Sequence, residues 1–184
     1  MEVLKKTKIY VAGHKGMVGS AILRKLKDLK FQNLLVKNRS QLDLISQADV
    51  DAFINKERPD CIIICAAKVG GIKANNNLRG EFIYNNLQIQ NNIIHSAKKY
   101  SVKKLIFLGS SCIYPKESYQ PILEESLLEG PLEITNEPYA IAKIAGIKLC
   151  ESYYNQYGSN FYSLMPCNLY GPNDNFNLET SHVI

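Results

Sequence analysis

A chain of 184 residues, 46% of them apolar and 21% charged, is long enough to bury one core and too apolar to stay disordered. The 22 basic and 17 acidic residues leave a net charge of +5, but they are scattered without a basic block, which argues against a nucleic-acid partner. No apolar stretch approaches the roughly 20 residues that span a bilayer, and the charged start is followed by a run broken at Gly13-His14-Lys15, so neither a membrane span nor a signal peptide is expected.

The five cysteines are odd in number and form no Cys-x-x-Cys pair, as expected for reduced thiols in the cytoplasm. Cys61 and Cys65, four apart in an apolar run, share a face if that run is a strand and read as small core residues. No metal is expected, because His14, His95 and His182 show no ligand spacing.

Lys8 to Ala12 reads as a strand that ends at Gly13-His14-Lys15-Gly16-Met17-Val18-Gly19. Val18, Ile22 and Leu26 then recur at four-residue steps, which predicts a helix to about Lys30. Strand, glycine loop and helix in that order form a pyrophosphate cradle: missing side chains let the backbone approach, and the anion sits at a helix N-terminus. A second strand is predicted over Asn33 to Val36, followed by Lys37 and Arg39, with no acid until Asp43. A guanidinium at that place suits a ribose 2′-phosphate, so NADP is favoured over NAD, with Lys15 as a second cation.

Ser46 is placed to cap a helix that Arg58-Pro59 stops, and Cys61 to Ala66 reads as a strand buried on both faces. The small residues Ala66, Ala67, Lys68, Val69, Gly70 and Gly71 follow at its C-terminal end, where open parallel sheets bind ligands. Glu81 to Tyr100 is helical and rich in Asn, a composition that suits a partly polar or partner-facing helix. A strand over Leu105 to Leu108 runs into Ser110 and Cys112, and a long Pro-rich loop leads to Pro138. Tyr139-Ala-Ile-Ala-Lys143 then opens a helix ended by Gly158, and Asn160 to Pro166 gives a last strand before Asn168-Leu169-Tyr170-Gly171-Pro172. The alternation predicts an α/β fold: a Rossmann-type, doubly wound parallel sheet with helices on both faces.

Tyr139 and Lys143 lie one turn apart on a helix, so the ammonium is expected to bring the phenol toward a usable pKa. A solvated surface pair is the structural alternative. Tyr100 and Lys104 have the same spacing but straddle a helix end and a strand start, so they read as coincidence.

The glycine loop, Ser110 and Tyr139-x-x-x-Lys143, in this order, resemble the extended short-chain dehydrogenase/reductases. Gly70-Gly71-Ile72, Ser111-Cys112-Ile113-Tyr114-Pro115, Asn136-Glu137-Pro138 and Asn168 carry the likeness further, toward the branch that epimerises and reduces GDP-4-keto-6-deoxy-mannose. The resemblance implies an NADP-dependent oxidoreductase and isomerase of nucleotide-sugar metabolism that takes a GDP-sugar and forms a homodimer through a four-helix interface. It implies Tyr139 as proton donor, Lys143 as its cationic partner and ribose ligand, Ser110 orienting the ketone, and Cys112 with His182 exchanging protons at C3 and C5. It also implies that Gly13 to Gly19, Arg39, Ala66 to Lys68, Tyr139, Lys143 and Asn168 hold the cofactor. Family members continue beyond His182 into a smaller substrate region. Residues 1–184 are therefore expected to form the NADP-binding domain with the catalytic set, and residues 173–184 the start of a substrate region largely absent here. Another sugar-nucleotide epimerase or dehydratase, and a non-catalytic NADP-binding module, remain as alternatives.

Overall fold

The computed structural model describes residues 5–175. Five parallel strands form one sheet in the order β2-β1-β3-β4-β5: β1 Ile9–Ala12, β2 Leu34–Leu35, β3 Cys61–Ile64, β4 Lys104–Leu108 and β5 Phe161–Leu164. Between them run α1 Met17–Asp28, α2 Gln47–Glu57, a short α3 Ile72–Asn77, and two 21-residue helices, α4 Arg79–Lys99 and α5 Glu137–Tyr157. The chain goes outward from β1 to β2 and returns to β3 on the other side of β1. That reversal opens a crevice at the C-terminal ends of β1 and β3.

Alternation along the strands divides the core between two faces. Tyr10, Ala12, Ile62, Ile64, Leu105 and Phe107 pack under α2, α4 and α5, whereas Ile9, Val11, Cys61 and Ile63 pack with Ile22 and Leu26 of α1. Cys65 joins that second cluster, so the shared face expected of Cys61 and Cys65 is present. On this face Tyr162 and Leu164 of β5 are half exposed.

Local chemistry explains the helix ends. The Ser46 hydroxyl accepts the Asp49 N–H at 3.3 Å, and Arg58 closes α2 in the left-handed region at φ 45°. Pro138 sits in the first turn of α5, and Gly158 ends it at φ 65°. The strands are shorter than the apolar runs predict. Asn33 and Val36 fall outside β2, and Cys65 and Ala66 leave β3 to form the cleft wall.

Three amides of the Asn-rich helix turn inward. Asn86, Gln90 and Asn92 are buried and bonded within the chain: the Gln90 amide donates to Ala142 O at 2.6 Å, and the Asn92 amide donates to Leu44 O and Ile45 O at 3.0 and 2.9 Å. α4 meets α5 closely because Gly146 has no side chain. A Cβ there would lie 2.5 Å from the Phe107 ring and 3.0 Å from the Gln90 amide carbon. Gly146→Ala gains about 1 kcal/mol of helix propensity, but the fully buried Phe107 ring has nowhere to go. A net loss of about 1–2 kcal/mol is expected in chemical denaturation.

Among the described residues no helix is long and apolar enough to cross a membrane, and no group of three or more His, Cys, Asp or Glu is placed to hold a metal ion.

Candidate active site

The glycine loop turns between β1 and α1. Gly13 has φ +84°, and a Cβ on it would sit 2.6 Å from the Ala66 nitrogen, so this position requires glycine for both shape and space. At Gly19 a Cβ would meet Gly13 O at 2.2 Å, which fixes how tightly α1 packs on the loop. Gly16 differs: a Cβ would find only Gly13 O, at 3.5 Å. Its bareness serves the open side of the loop. No side chain caps α1 and no acid lies in its first turn, so its first amides face the cleft as an anion cradle. The His14 Nδ1 atom is buried in this loop without a partner, and burial with the Lys15 charge lowers the His14 pKa, keeping the ring neutral. These features fit a dinucleotide pyrophosphate.

The opposite wall is Ala66-Ala67-Lys68, held by Asn86. Its side-chain oxygen accepts the Lys68 N–H at 2.8 Å, and its amide donates to Lys68 O at 2.9 Å and Phe82 O at 2.8 Å. Asn75 of α3, also buried, donates to Gly70 O at 2.6 Å and shapes the next stretch of wall. Sequence reasoning misses both clamps. The excess of Asn is visible, but its spacing does not say which carbonyls these amides serve: Gly70 O lies five residues from Asn75, whereas Lys68 O lies 18 from Asn86. At the far end Arg39 is exposed beside the cleft, and Asp43, which also lines it, accepts the Ile45 N–H at 3.0 Å.

β4 delivers the reactive groups. It ends at Leu108, and Ser110 precedes a single turn of 3-10 helix at Ser111–Ile113 that carries Cys112. Across from it, Lys143 is almost fully buried, its ammonium donating to Leu108 O at 2.7 Å and lying 5.7 Å from the Tyr139 ring centre and 4.7 Å from that of Phe107. Burial lowers the Lys143 pKa to about 8, against an opposing pull from Cys112 and Cys65. Tyr139 shows the reverse of the expected effect. Burial pushes its phenol up, and Cys112 adds to the rise, so the phenol is held firmly protonated. Burial also raises the Cys112 thiol, against the opposing pull of a Ser110 hydrogen bond and of Lys143.

All of these groups open on one cleft of about 1240 Å³. Its lining includes Gly13 to Gly19, Arg39, Ala66 to Lys68, Ser110, Cys112, Tyr139, Lys143 and Asn168. Every site residue expected from the sequence is therefore there except His182, which lies outside the described residues. The Tyr100 and Lys104 pair is a coincidence of spacing: Tyr100 is stacked by Arg58, while the Lys104 ammonium lies over Tyr162.

A parallel sheet with a glycine loop after β1 and a Tyr-x-x-x-Lys helix against β4 defines the extended short-chain dehydrogenase/reductase architecture. The chain belongs to the NAD dependent epimerase/dehydratase family, whose model matches residues 9–184. It is 60% identical to GDP-L-fucose synthase 1 of Arabidopsis thaliana over 180 residues, covering 98% of this chain and 56% of that protein. It superposes on the NADP-bound GDP-L-fucose synthetase of Naegleria fowleri with a TM-score of 0.88 at 34% identity, covering 97% of this chain and 59% of the other. On a GDP-6-OMe-4-keto-L-xylo-heptose reductase from Campylobacter jejuni the TM-score is 0.93 at 44% identity, covering 96% and 51%. The chain thus spans a little over half the length of these relatives.

Proposed function

We propose that this chain supplies the dinucleotide-binding and proton-transfer part of a GDP-L-fucose synthase, inverting C3 and C5 of GDP-4-keto-6-deoxy-mannose and reducing its C4 ketone. The observation that carries this reading is the convergence of Ser110, Cys112, Tyr139 and Lys143 on the same cleft as the glycine loop. The α1 N-terminus and Gly16 would hold the pyrophosphate of NADP, Arg39 and Lys15 its 2′-phosphate, and Asn168 the nicotinamide end. Bound NADPH supplies the hydride delivered to C4.

The protein's own part is proton traffic. Ser110 donates a hydrogen bond to the ketone oxygen and orients it. That polarisation acidifies the protons at C3 and C5, which Cys112 and His182 exchange. Tyr139, kept protonated by burial, then gives its proton to the oxygen as the ketone becomes an alcohol. The Lys143 ammonium stabilises the phenolate left behind, and its bond to Leu108 O fixes it in place. Simple ketone reduction without epimerisation is the second reading, supported by the likeness to a heptose reductase.

In the same reading residues 1–184 form the dinucleotide-binding unit, with residues 173–184 leading toward a substrate region. α4 and α5 present Tyr84, Ile141 and Tyr154 outward, which supports pairing with a second copy as a four-helix interface. Five free cysteines fit the reducing cytoplasm.

The test is NADPH oxidation by the chain with GDP-4-keto-6-deoxy-mannose, followed against pH. Lys143 is an ammonium below about 8 and neutral above. kcat/KM, which reports the unliganded enzyme, is therefore expected to fall as pH rises through about 8. Lys143→Met should lack that limb. Cofactor binding without turnover would point instead to a non-catalytic module.

A further inference from the structure

Lys15, Lys37, Arg39, Lys68 and Lys143 line the cleft, and these five cations are not equivalent. Among the described residues Lys15 and Arg39 have no carboxylate partner, whereas the Lys68 ammonium is ion-paired with Glu81. Glu81 stands in the first turn of α4 and itself lines the cleft. The Lys68 backbone is held at both its N–H and its carbonyl by Asn86, so the anchor of this residue is rigid. Among the described residues its side chain is held by Glu81 and by the Phe82 ring, 5.6 Å from the ammonium. The pair is accessible, with the Lys68 side chain 28% and the Glu81 side chain 59% exposed, so separating it costs little.

We propose that Glu81 is the resting counter-ion of Lys68 and sets the affinity of the cleft for diphosphate-bearing nucleotides, an inference that rests on reading the cleft as a nucleotide site. Without ligand, the pair neutralises one cation in the wall. A diphosphate outbids a single carboxylate because it carries more charge and more acceptor oxygens. The ammonium turns to it, and Glu81 is left in solvent near the positive end of α4, where a lone carboxylate is tolerated. A ligand without phosphate lacks the charge to separate the pair. Glu81 thus acts through Lys68 as a specificity-determining residue.

The experiment is calorimetric titration of the full chain at low salt with NADPH, with GDP and with adenosine as separate arms. Glu81→Gln keeps the shape of the side chain and removes its charge. It is expected to tighten binding of the diphosphate that reaches Lys68 by about 3–5-fold, the size of an exposed pair. Lys68→Met should weaken the same ligand by a similar factor, Glu81→Asp should restore the wild-type value, and adenosine should be unaffected. The arm that responds identifies which diphosphate meets Lys68. In the Lys68→Met background Glu81→Gln should change affinity less than about 2-fold, because the carboxylate acts through the lysine.

Equal tightening in both backgrounds would show a general field effect and overturn the inference, as would an unchanged affinity in both the NADPH and GDP arms. If the wild-type chain binds neither nucleotide, the reading of the cleft fails, and the inference with it. All variants are compared at matched thermal melting, so a folding defect is not mistaken for lost affinity.

Discussion

Tyr139→Phe is expected to abolish ketone reduction, lowering kcat by roughly 10²–10⁴-fold, the range spanned by a positioned general acid. The substitution removes one oxygen and leaves the ring that packs near Lys143, so the helix and the cleft keep their shape. NADPH affinity should stay within about 3-fold of wild type, because the glycine loop and the Asn86-held wall are untouched. Burial is what makes this effect large. It holds the phenol protonated through the whole working pH range, so the donor is always loaded. Stopped-flow measurement of NADPH oxidation under single turnover separates the chemical step from binding. A Tyr139→Phe variant that reduces the ketone at near wild-type rate would remove Tyr139 from the mechanism.

The second large effect is expected at Cys112. Cys112→Ser keeps the size and the hydrogen-bonding reach of the side chain but replaces a thiol with a hydroxyl that does not ionise near neutrality. Burial already raises Cys112, and Ser110 and Lys143 pull it back toward an exchangeable thiol. A serine is beyond their reach. Incorporation of solvent deuterium at C3 and C5 should therefore drop by about 10²-fold or more, while reduction of a ketone whose centres are already inverted continues. Loss of both activities together would mean that Cys112 shapes the site rather than exchanging protons. Retention of both would favour the reading of a simple ketone reductase.

The parts of the molecule legible in the sequence are those written in local patterns. The glycine loop announces itself because Gly13 and Gly19 occupy places where a Cβ collides with backbone. Likewise α5 is bounded by Pro138 and Gly158, and the tyrosine and lysine fall on one face by period alone. α3 was not legible. Ile72–Asn77 contains three asparagines, which favour turns over helix. It forms because Asn75 bonds back to the carbonyls of Gly70 and Gly71. The same limit applies to α4, where composition does not show which amides turn inward. Their acceptors, Lys68 O, Ala142 O and Leu44 O, are 18 to 52 residues away, and no window along the chain brings them together. The direction of the Tyr139 shift escapes sequence reasoning for a related reason. Spacing reports which groups are neighbours, whereas burial depends on everything packed above them.

The contact of α5 with β4 has a consequence for which distant mutations should matter. Lys143 is tied to Leu108 O, and three residues on, Gly146 rests against the Phe107 ring, so helix and strand share one mechanical datum. A displacement of about 1 Å at a reacting centre can cost roughly 10²-fold in rate, which is less than the 1.5 Å rise of a single helical residue. The tolerance of the reaction is therefore machined into the hydrophobic interior, not into the cleft. A change as remote from solvent as Phe107→Leu should surface as a slower catalyst with undiminished grip on its cofactor.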